Sequence, residues 1–117
     1  MTVNFVYMTA GSSEEARRIG AELVKNRLAA CVNILENMRS LYMWEQRLQD
    51  DAEVVMIAKT TEARIPELVQ TVRSLHSYDV PCIVCLPVTG GHRPFLDWIA
   101  GEVTPGQSRL PQDGGFL

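Results

Sequence analysis

His76-Ser77-Tyr78-Asp79 puts an imidazole, a phenol and a carboxylate into four residues, directly ahead of Val80-Pro81. Side chains in a loop that leaves a helix are free to project. A cation there also gains from the negative end of the helix, so the group is a candidate metal or ligand site. A structural reading is equally concrete. His76 would cap the last helical carbonyls, the Tyr78 ring would pack, and Asp79 would close a turn before the proline. From these residues alone the structural reading is the expectation, with the site reading kept open beside it.

Other groups are judged by the same standard. Cys82-Ile83-Val84-Cys85 has the C-x-x-C spacing of redox and zinc sites, but Val80 to Pro87 reads as a strand. Residues three apart on a strand point to opposite faces, about 10 Å apart, so structural thiols are the expectation. The cysteines number three, Cys31, Cys82 and Cys85. An odd count without an export signal argues against a disulfide framework. No Ser or Cys nucleophile stands beside a plausible His base. There is no His-x-x-x-His, no P-loop and no G-x-G-x-x-G, so catalysis is not expected. Gly90-Gly91 ahead of Pro94 reads either as an anion-binding approach to a helix start or as a plain turn, and His92 is expected to be exposed.

The elements that must carry these groups follow from periodicity. Val3 to Thr9 alternates as a strand, with Val3, Phe5 and Tyr7 on one face and Asn4, Val6 and Met8 on the other. Ser12 opens a helix, Glu15 completes a capping box, and Ala16, Ile19, Leu23, Val24 and Leu28 form its apolar stripe, ending near residues 27–30. Cys31 to Glu45 and Leu48 to Thr60 read as a long antiparallel hairpin turning at Gln46-Arg47, although neither turn residue favours positive φ. A second helix begins within residues 62–66, since Pro66 suits a first turn. It turns Ile65, Leu68, Val69, Val72 and Leu75 inward. A fourth strand spans residues 81–87, and Pro94 seeds a short helix reaching Glu102. Residues 1–103 therefore read as one domain, and 104–117, with two prolines and three glycines, as a loose tail.

That order, β-α-β-β-α-β with an added C-terminal helix, predicts an α+β, ferredoxin-like sandwich with a long hairpin between its second and third strands. Both faces of the hairpin are apolar: Tyr42 and Trp44 alternate with Leu41 and Met43, and Val54, Met56 and Ala58 with Val55 and Ile57. A sheet covered by helices on one side should be polar on the other, so a second copy is expected against it.

Composition sets outer bounds. The 117 residues suit a single domain. Eleven basic residues against fourteen acidic leave a net charge of −3, without the basic excess that wraps phosphate backbones. Nucleic acid is not an expected partner. Met1 to Phe5 has neither a charged n-region nor a long apolar run, and no window reaches the ~18 apolar residues of a span. No membrane association and a cytoplasmic location are the expectation.

Read together, Ser40-Leu41-Tyr42-Met43-Trp44-Glu45, Lys59-Thr60, His76-Ser77-Tyr78-Asp79-Val80-Pro81 and Phe95-Leu96-Asp97-Trp98-Ile99 resemble the CutA family of divalent-cation tolerance proteins. The resemblance implies a homotrimer whose sheets meet around a threefold axis, with Trp44, Glu45, Lys59, Tyr78 and Asp79 near a cleft between subunits. Copper sites proposed for some members use a first-strand Cys and a His pair at the end of the second helix, positions that match Met8, Leu75 and His76. Of these His76 is kept, Met8 keeps a soft sulfur suited to Cu(I), and Leu75 is no ligand. Three departures stand out: Asp79 replaces a Glu, Cys82 replaces a carboxylate, and Gln46 replaces a turn Gly. The implied function is cation tolerance without catalysis, with Cu(II) or another divalent cation bound by His76 and Met8. The alternative is a trimeric module like the PII proteins, binding a small anion through Lys59, Tyr78 and Glu45.

Overall fold

A computed structural model describes residues 2–105; most of the expected tail, 106–117, lies outside the described residues. The chain runs β1 (Val3–Ala10), α1 (Ser13–Lys25), β2 (Cys31–Trp44), β3 (Arg47–Thr61), a 3-10 turn (Glu62–Arg64), α2 (Ile65–Leu75), β4 (Ile83–Pro87) and α3 (Arg93–Val103). The four strands form one sheet in the order β2-β3-β1-β4, antiparallel at every pairing. This is the expected ferredoxin-like α+β topology. No helix among the described residues is long and apolar enough to cross a membrane.

Local chemistry explains the boundaries. Ser12 caps α1 by accepting the Glu15 N–H at 3.1 Å. The helix ends on Arg27 at φ 56°, with Leu28 N–H bonded to the Leu23 carbonyl and Arg27 N–H to that of Val24. That is a Schellman ending built without the usual glycine. On the helix-facing side of the sheet, Val6, Met8, Met56 and Ala58 are fully buried against Ile19 and Leu23 of α1 and Leu68 and Val72 of α2. Each large apolar side chain buried there is worth about 1.5–3 kcal/mol.

The hairpin differs from its expected form in two ways. Its turn is Glu45-Gln46, at φ 49° and 63°, closed by Trp44 opposite Arg47, one residue earlier than the sequence suggests. Both residues adopt the left-handed region that a tight two-residue turn demands, whatever their type. The second difference is a bulge. Leu35 lies opposite Val55 but Met38 lies opposite Glu53, so Glu36 and Asn37 face Val54 alone, with Asn37 at φ 65°. Because of that extra residue, Met38, Ser40, Tyr42 and Trp44 share a face with Glu53 and Asp51. Beyond the bulge the ribbon leaves the body, which stretches the molecule to 50 × 27 × 25 Å.

The far face of the sheet is not left wholly to another chain. α3 folds back over one end of it, where Ile99 and Val103 pack with Val3 and Ala30, and Phe95 and Trp98 lie against the cluster. The Lys59 ammonium sits between the Phe5 ring at 5.7 Å and the Phe95 ring at 5.4 Å. The remainder stays open, with Leu35, Val84 and Leu86 each about half exposed.

Candidate functional site

The loop from α2 to β4 is pinned from inside. His76 has its side chain 1% exposed. Its Nε2 lies 2.7 Å from the Thr9 carbonyl, and its Nδ1 accepts the Tyr78 N–H at 3.0 Å. Those partners require the neutral Nε2–H tautomer, because a backbone N–H cannot donate to a protonated Nδ1. Glu15 supplies the second pin. Its carboxylate accepts the Ser77 N–H at 2.7 Å, the Ser77 hydroxyl at 3.1 Å and the Gly11 N–H at 3.3 Å. Burial pushes this carboxyl up, but the bonds from Ser77 and Gly11 outweigh it and hold the group below its ordinary value.

So held, the loop faces the hairpin across an open groove of about 580 Å³. One wall is the far face of the hairpin, with Tyr42, Trp44, Asp51 and Glu53; the other is Tyr78, Asp79 and Cys82. Tyr78 donates to one oxygen of Glu53 at 2.9 Å, and Ser40 donates to the other at 2.5 Å. Tyr42 donates to Asp51 at 2.5 Å. Burial, then the bond to Glu53, pushes the Tyr78 phenol up to about 12. The hydrogen bond to Asp51 raises that of Tyr42. Burial and the Glu53 charge raise the Cys82 thiol, which therefore stays protonated. Among the described residues three carboxylates line the groove and no Lys or Arg does, so their combined potential there is negative.

The structure brings three of the five expected cleft residues, Trp44, Tyr78 and Asp79, into this groove. Glu45 lies in the hairpin turn. Lys59 lies six residues along β3 from Glu53, about 20 Å away. Within one chain, Lys59, Tyr78 and Glu45 therefore do not surround a common anion. The expected metal ligands are also placed apart from the groove. Met8 is fully buried on the helix-facing side, and both ring nitrogens of His76 are already engaged. Binding metal at His76 would require giving up one of those bonds, and Met8 would have to leave the core. Among the described residues, no three His, Cys, Asp or Glu side chains are grouped so as to hold a metal ion. Asp51 and Glu53 are groove residues that sequence reasoning did not single out, while Tyr42 and Cys82, read there as an apolar hairpin face and a structural thiol, also line the groove. Strand parity was the available signal for Asp51 and Glu53, but the unseen bulge hid which side of β2 they join.

The sequence matches the family model described as CutA1 divalent ion tolerance protein over residues 4–102. The "Divalent-cation tolerance protein CutA" of Thermus thermophilus is 45% identical over 94 residues, covering 80% of this chain and 91% of that protein. The solved structure of CutA1 from Oryza sativa superposes with a TM-score of 0.87 at 35% identity, covering 91% of this chain and 97% of that one. A structure described as the periplasmic divalent cation tolerance protein CutA from Archaeoglobus fulgidus gives a TM-score of 0.84 at 42% identity, covering 87% and 99%. With the match running from β1 into α3, this chain belongs to the CutA1 divalent ion tolerance family.

Proposed function

We propose that this protein acts in divalent-cation tolerance as a non-catalytic homotrimer that holds the cation in the groove between hairpin and loop. The observation that carries the reading is the lining: among the described residues Asp51, Glu53 and Asp79 all face the groove, spread along it, and no basic side chain does. Hard divalent cations take carboxylate oxygens, and Cu(II) leads the Irving–Williams order for such donor sets. Because the described residues of one chain supply no complete inner sphere, the bound ion keeps water or takes further ligands from a neighbouring copy. The half-exposed Leu35, Val84 and Leu86 support assembly through the open sheet face. The cytoplasm is the proposed compartment, since all three cysteines are free thiols, the state a reducing environment maintains.

The test is calorimetric titration of Cu(II), and in parallel Zn(II) and Mg(II), into wild type, Glu53→Gln and His76→Ala. Saturable binding at a fixed number of sites per trimer, weakened at least about tenfold in Glu53→Gln, is expected, since even partners in the outer shell of a metal site are worth about 10–100-fold in affinity. If Glu53→Gln leaves affinity unchanged while His76→Ala abolishes it, the imidazole is the ligand and the groove is not. Non-saturating heat in every variant sinks the reading altogether.

A further inference from the structure

The groove carries more aromatic surface than a metal ion can use. Tyr42, Trp44 and Tyr78 are 44%, 64% and 38% exposed, and all three line the same space as the carboxylates. Large aromatic rings left in solvent around a concave surface mark a place where something docks. Both phenols spend their O–H on Glu53 and Asp51, so what the tyrosines offer an occupant is ring surface, not a donor. A small, strongly hydrated divalent ion gains little from ring surface, whereas a weakly hydrated organic ammonium gains from it directly.

Charge complementarity then selects the occupant. An anion would meet three carboxylates, and a neutral ligand would leave them uncompensated. The basic side chain that strand register sets beside Trp44, that of Arg47, lies outside the lining. Asp51 and Glu53 stand two apart on one face of β3, which spaces their Cα atoms about 6.6 Å along the strand. A short alkanediamine separates its two ammonium groups by a similar length, and its methylenes would lie along the rings. Each carboxylate keeps acceptor capacity after its hydroxyl bonds, since an ionised carboxylate offers about four lone-pair sites.

We propose that the groove is a binding site for aliphatic diammonium cations of the polyamine class. One ammonium pairs with Asp51 and the other with Glu53, and Trp44 and Tyr78 cover the chain between them. The proposal rests on the groove being cation-selective, as the metal reading does, but it adds a ligand class that the aromatic walls discriminate.

The experiment titrates 1,4-diaminobutane, 1-aminobutane and Zn(II) separately into wild type, Trp44→Ala and Glu53→Gln by calorimetry at constant ionic strength. The expected pattern is saturable diamine binding, at least tenfold weaker binding of the monoamine, and about fivefold weaker diamine binding in Trp44→Ala, the scale of one cation–π contact. Zn(II) affinity should be unmoved in Trp44→Ala, whose side chain is exposed and supports no core, and Glu53→Gln should weaken both ligands. Zn(II) binding without diamine binding overturns the diamine site and leaves the metal reading standing. Diamine binding without Zn(II) does the reverse. Diamine heat that Trp44→Ala does not change also overturns the proposal, because the aromatic wall then plays no part.

Discussion

Glu15 does two jobs at once. Its backbone N–H closes the Ser12 cap, and its carboxylate holds Ser77, and with it the loop that presents Tyr78 and Asp79. The depressed carboxyl ties stability to acidity with a definite sign. A carboxyl that is more acidic in the folded chain contributes stability above the unfolded value of 4.5, and the contribution fades as pH falls below it. Glu15→Gln should cost about 1–3 kcal/mol at neutral pH, because the Ser77 donors lose a charged acceptor. It should also flatten the loss of stability between pH 7 and pH 3. Urea unfolding of both proteins across that range checks the claim, and parallel curves at all pH values would refute it. The cap was legible in Ser12 and Glu15 because they are three residues apart. The loop contact was not, because Ser77 lies 62 positions away and nothing in the local pattern couples them. His76 is the same case. Its residue type suggested a ligand, and its Thr9 partner, 67 positions away, accounts for one of its two nitrogens.

At the level of elements, strand and helix identities follow from periodicity, while the hairpin's details depend on residues that break local rules. Glu45, Gln46 and Asn37 all sit at positive φ, and of these Asn alone is a frequent visitor there. The non-glycine cost is about 1–2 kcal/mol per residue, borne by the long ladder on either side. Gln46→Gly should therefore raise stability by about 1 kcal/mol, read as a higher urea midpoint at unchanged slope. A drop in midpoint would mean that the Gln46 side chain makes a contact worth more than the strain. The bulge explains why the aromatic wall was only half visible. Tyr42 and Trp44 were legible as one face of a strand, but joining them to Asp51 and Glu53 depends on the two residues that oppose Val54. Family likeness could not mend the turn either, since Gln46 stands where the pattern has glycine.

On the scale of the whole molecule, the chain has a closed core under α1 and α2, a second small cluster under α3, and an uncovered strip of sheet between α3 and the hairpin. The sequence pattern indicated an exposed apolar face but not that α3 would occupy one end, since a terminal amphipathic helix carries no signal for the side it chooses. If the strip is an interface, a charge placed on it should prevent assembly. Leu86→Glu, on a half-exposed β4 position, is expected to shift the mass by light scattering from three times 13.1 kDa to one, with far-ultraviolet circular dichroism of the body retained. A wild-type monomer at micromolar concentration, or an unaltered trimer in the variant, would contradict that. The projecting ribbon adds a consequence in time. Two strands without a third, or a body beneath them, are marginal in water. The region past the bulge therefore gains its permanence only after the body beneath the start of β2 and the end of β3 has closed, so the groove's hairpin wall matures later than the His76 and Glu15 pins.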